Sequence, residues 1–79
     1  MAKKKKTKGE PKQPKPALER NSRKILQRLE RDGWVIESIK GSHHKLRHPD
    51  FAYPIILVHP KKDLPKGTAR AIHRDAGWL

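Results

Sequence analysis

The sequence contains no cysteine. Disulfide staples and thiolate-bound metal sites are therefore excluded, and the absence fits a reducing compartment. No apolar run approaches the length of a membrane span, and the basic N-terminus is not followed by the apolar stretch of a signal peptide. A cytoplasmic protein with no membrane partner is expected. Gly-rich phosphate loops, nucleophilic triads and paired carboxylates are missing as well. Aromatic residues make up only 5%. Trp34 and Trp78 follow or end helices and are expected to pack rather than to offer base-stacking platforms. Acids are also scarce: eight Asp and Glu stand against twenty Lys and Arg, for a net charge of +12. A chain of 79 residues can form one small domain with a thin core.

The positive charge is spread along the chain. Residues 1–16 hold seven lysines against Glu10, a net of +6, and residues 17–79 hold thirteen cations against seven acids, also +6. The folded part is thus basic without its tail, which favours polyanionic partners such as RNA, DNA or an anionic surface. Residues 1–17 are rich in Lys and Pro with almost nothing apolar. Such a segment cannot bury enough surface to offset its ordering entropy, so a disordered tail is expected there, with residues 18–79 as the folded domain.

Within that domain Ile25, Leu26 and Leu29 recur at helical spacing, with Arg23, Lys24, Arg28 and Arg31 largely off their face. The pattern predicts a helix over roughly 22–32, with Asn21 or Ser22 as N-cap and Gly33 as stop. Trp34–Ile39 is β-branched and aromatic, Gly41-Ser42 supplies a turn, and residues 43–48 alternate in character. Tyr53–His59 is a strongly apolar third strand, with Pro54 near its start and Pro60 after its end. Pro65 suits the first turn of a closing helix whose apolar stripe is Ala69, Ile72 and Ala76, with Gly77 as stop. The expected fold is α+β, in the order α-β-β-β-α, with a three-stranded antiparallel sheet and both helices on one face.

The segment Lys40-Gly41-Ser42-His43-His44-Lys45-Leu46-Arg47-His48-Pro49 concentrates the chemistry. Histidine is the side chain best suited to move protons near neutral pH. Leu46 must face the helices, because so small a sheet needs every apolar side chain in its core. Strand period two then sends His44 and His48 to the core side or its rim, and His43, Lys45 and Arg47 to the open face. A bulge after Gly41 would undo this assignment. A second set of cations, Lys61, Lys62, Lys66 and Arg70, surrounds the start of the last helix and offers a site for RNA backbone. Neighbouring His43 and His44 point to opposite faces and no carboxylate is well placed beside them, so neither a metal site nor any other cofactor is expected.

Across residues 22–79 the chain resembles the HicA toxin family, the mRNA interferases of bacterial toxin–antitoxin systems. Lys24-Ile25-Leu26 with Leu29, Asp32-Gly33-Trp34, Gly41-Ser42-His43-His44 with His48-Pro49, His59-Pro60, Leu64-Pro65-Lys66-Gly67-Thr68 and Ala76-Gly77 carry the resemblance together. It implies a fold like a double-stranded-RNA-binding domain (dsRBD), ribosome-independent cleavage of mRNA, and neutralisation by a HicB-type antitoxin. The histidine regarded as catalytic in the family's Gly-Ser-His motif matches His43, with His44 as second choice because the alignment can slip by one residue.

Histidine-driven RNA cleavage then assigns roles. His43 acts as general acid or base. Lys45 and Arg47, with Lys40 near the turn, stabilise charge on the phosphorane. Gly41 permits close backbone approach, and the Ser42 hydroxyl orients phosphate or imidazole. His44, His59 or a lysine supplies the second proton transfer, while His44 and His48 otherwise read as structural residues at the sheet rim. The rival function is a non-catalytic RNA-binding module of dsRBD type.

Overall fold

A computed structural model describes residues 18–79; the tail expected over 1–17 lies outside the described residues. The first helix, α1, spans Ser22–Arg31. Asn21 caps it from an extended conformation, its side-chain Oδ1 accepting the N–H groups of Arg23 at 2.9 Å and Lys24 at 3.4 Å. Ile25 and Leu29, one turn apart, form its buried face. The chain leaves α1 through Gly33 at φ +103°, where a Cβ would also lie 3.0 Å from the His48 ring.

Three strands follow, β1 (Val35–Lys40), β2 (His43–Arg47) and β3 (Ile55–Val58), and helix α2 (Lys66–Asp75) closes the domain. The sheet is antiparallel in the order β1-β2-β3. The observed order is the α-β-β-β-α expected. The third strand is shorter than the apolar run Tyr53–His59, because Pro54 lacks the N–H a ladder needs and Tyr53 lies outside the strand, exposed.

The register carries one irregularity, and it has a visible cause. Lys40 pairs with His43, Ile39 with His44 and Ser38 with Lys45, but Ile36 pairs with Leu46, so Glu37 is an extra residue in β1. Without this bulge Glu37 would stand opposite Leu46 and point at the core. With it, Ile36 turns inward beside Leu46 and Glu37 turns out. The bulge lies in β1, not after Gly41, so the alternation along β2 is intact.

Both helices cover the face that carries Leu46, Ile55 and Leu57. These three, with Ile25, Leu29, Leu64, Ala69 and Ile72, build one core. Leu46, Leu57, Ile25 and Leu29 are fully buried, each contributing roughly 1.5–3 kcal/mol. The helices pack chiefly over β3, which leaves Ile39 on edge strand β1 at 55% exposure although it shares the core-side row. Among the described residues no helix is long and apolar enough to cross a membrane.

Candidate functional site

The β1–β2 hairpin turns in two residues. Gly41 takes φ +59°, a conformation that favours glycine, and open space surrounds the position a Cβ would take. This exposes backbone at the tip and brings Lys40 opposite His43. Paired residues share a face, so Lys40, His43 and Val58 form one open-face row, and Ser38, Lys45 and Ile56 the next. His43 is exposed.

The open-face cations are not unopposed. Glu37, brought outward by the bulge, accepts a hydrogen bond from Arg47 Nε at 3.0 Å and pairs with Lys45 Nζ at 3.7 Å. The Arg47 hydrogen bond holds the Glu37 carboxyl below its ordinary range; lost hydration opposes this, and the charges of Arg47 and Lys45 add to the lowering. Strand alternation marks Lys45 and Arg47 as free cations for phosphate and does not bring Glu37 to them. Ile36 and Ile39 carried the missing signal: two core-side residues three apart in a strand require one extra residue between them.

Across the sheet, at the rim beside α1, lies a second group. His44 shares a row with Leu57, and its Nδ1 donates to the Ser42 carbonyl at a long 3.4 Å. That carbonyl also accepts the backbone N–H of His59 at 2.8 Å. The two imidazole rings meet edge to face, 5.1 Å between centroids and 85° between planes. His59 Nδ1 is 2.8 Å from the hydroxyl of Ser22, which is buried at 1% exposure and accepts the Lys61 N–H at 2.7 Å. Backbone bonds from Ser22 N to the Lys61 carbonyl and from Leu64 N to the Arg20 carbonyl clip this loop to the start of α1. Arg23, His59, Lys61 and Lys62 line the resulting cleft of about 360 Å³. Lys61 and Lys62 thus stand beside the first helix, while Lys66 and Arg70 are exposed on the first turns of α2.

The remaining histidines serve the fold. His48 Nδ1 accepts the Asp50 N–H at 3.0 Å, so Nε2 carries the hydrogen that it donates to the Asp32 carbonyl at 2.9 Å. His73 is buried, with Nε2 3.1 Å from the Glu19 carbonyl. Trp34 is buried against His48 and Phe51, and Trp78 donates to Asp32 at 2.7 Å beneath the Arg28 guanidinium. Both tryptophans therefore pack.

A basic α-β-β-β-α domain with an exposed glycine hairpin and histidines on both sides of it has the equipment for acid–base chemistry on a polyanion. The family model described as HicA toxin of bacterial toxin-antitoxin matches residues 22–78. The chain belongs to that family, a family of RNase toxins, and is thereby a toxin of a toxin–antitoxin system that pairs with an antitoxin. No curated protein matches the chain.

Proposed function

We propose that this toxin is a cytoplasmic mRNA endoribonuclease that cuts independently of the ribosome and of metal, with a histidine of the β1–β2 hairpin transferring the proton and a HicB-type protein as its antitoxin. The observation that carries this is the hairpin itself. Gly41 leaves backbone open to a phosphate, Lys40 stands opposite His43, and His43 is exposed to solvent. Lys45 and Arg47 on the same face, together with Lys61, Lys62, Lys66 and Arg70, supply attraction for the RNA backbone.

His43 is the residue that the Gly-Ser-His motif selects. One observation favours His44 instead: its ring lies against that of His59, and a cleavage step that needs both an acid and a base has two imidazoles on that side.

The test is a time course with a single-stranded mRNA in EDTA, beside its 2′-deoxy counterpart. Cleavage of the RNA to 2′,3′-cyclic phosphate ends, with the 2′-deoxy strand uncut, is the expected result. Cleavage of both strands rules out the 2′-hydroxyl as nucleophile. Salt-sensitive binding without cleavage turns the domain into the non-catalytic RNA-binding module.

A further inference from the structure

The rim group contains more machinery than core packing requires. Ser22 is a buried hydroxyl spent on an imidazole and a loop N–H, and His59 lies on a cleft whose other side chains include three cations. We infer that His59 is the second proton-transfer group for RNA cleavage, with His44 as its partner and Ser22 as its positioning residue, and that the cleft beside α1 seats the scissile phosphodiester. This rests on the RNA-cleaving function proposed above, in the form that places the chemistry on His44.

Hydrogen bonding decides which ring nitrogens are available. A carbonyl can only accept, so the His44 contact with Ser42 puts the hydrogen on Nδ1 and leaves Nε2 for substrate. Ser22 Oγ has two lone pairs. One takes the Lys61 N–H, and once the His59 ring is protonated its Nδ1–H donates to the other, which leaves Nε2–H of that ring for substrate. The Ser42 carbonyl holds the His44 ring and the His59 backbone at once. Both rings are thus pinned at Nδ1 and reactive at Nε2.

The step then balances. The 2′-oxygen bonds to phosphorus as its proton passes to Nε2 of the neutral imidazole. The P–O5′ bond breaks with its electron pair on O5′, which takes a proton from Nε2 of the protonated imidazole. The products are a 2′,3′-cyclic phosphate and a 5′-hydroxyl, and the two rings have exchanged protonation states. Arg23, Lys61 and Lys62 face the phosphate and offset its charge.

The experiment compares wild type, His59→Ala and Ser22→Ala on a fluorescent RNA across pH 4.5–9, with binding measured on the uncut 2′-deoxy strand. Wild type should show two limbs in its pH–rate profile. His59→Ala should turn over about 10²–10⁴-fold more slowly, lose one limb, regain rate with added imidazole, and bind the 2′-deoxy strand within a few-fold of wild type. Wild-type turnover in His59→Ala, or a slow variant that keeps both limbs and ignores imidazole, overturns the inference while leaving the RNase function standing. A wild-type protein that fails to cut overturns both. Nitrogen-15 spectra of the histidine rings test Ser22 without any turnover. Ser22→Ala should shift the His59 ring's populations and leave His48 unchanged. A His59 ring unmoved by Ser22→Ala removes Ser22 from the positioning role.

Discussion

The two sides of the hairpin spend their polar groups differently. On the open face, Lys45 and Arg47 share one carboxylate, Glu37, in contact with solvent. At the rim, His44 is held through Nδ1 by a carbonyl and His59 by a buried hydroxyl, and His59 lines a cleft with three cations that share no carboxylate among its lining side chains. Exposed ion pairs are worth little and exchange readily with a competing anion. A ring pinned by a buried hydroxyl keeps its orientation, and orientation is what proton transfer needs. The open face is therefore suited to attracting a polyanion, and the rim to acting on one.

Substituting the two hairpin histidines in turn tests that division most sharply. With the chemistry at the rim, His44→Ala loses about 10²–10⁴-fold in turnover, and His43→Ala loses only the few-fold expected of a surface contact. The reverse ranking, read from initial rates on the same RNA, returns the reaction to the open face and to His43. Next in size is Leu57→Ala. Leu57 is fully buried and pairs with His44, so its removal should cost about 2–5 kcal/mol in chemical unfolding. Below that comes Ser22→Ala, which leaves the Lys61 N–H without its acceptor and should cost about 1–3 kcal/mol.

The smallest effect on folding belongs to the open face. Glu37→Gln frees Lys45 and Arg47, so RNA should bind more tightly. The slope of log K against log salt should steepen by about 0.7 for each phosphate newly engaged. The melting temperature should scarcely move at neutral pH. The folded-state pKa of Glu37 is lowered from 4.5, so its stabilising contribution is present above that value and is lost as pH falls through the folded-state pKa. The melting difference between wild type and Glu37→Gln should therefore be flat from pH 7 to 5 and shrink only in acid. A difference that changes near pH 6 instead points to a histidine.

Much of this domain is legible in local pattern. Ile25 with Leu29, and Ala69 with Ile72 and Ala76, mark the buried helix faces, and all five are in the core. Gly33, Gly41 and Gly77 mark the ends and the turn, each at positive φ. Leu46 fixes the faces of β2, because one buried residue in an alternating strand settles its neighbours. The bulge at Glu37 leaves a fainter mark, the spacing of Ile36 and Ile39, since it moves the register by a single residue inside a run that already reads as strand.

The contact between His59 and Ser22 joins residues 37 apart, and no periodicity reports it. It exists because the loop after β3 returns along the start of α1, clipped there by backbone bonds at Ser22 and Leu64. The same return carries Lys61 and Lys62 to the first helix. The sequence by itself determined the order of the elements, the positive charge of the domain and the side of β2 on which each histidine stands, because helix and strand periods act over a few neighbouring residues. Only the tertiary structure decided which carboxylate meets Lys45 and Arg47, and which histidine gains a second imidazole and a buried hydroxyl, because those encounters depend on register and on the packing of segments distant along the chain.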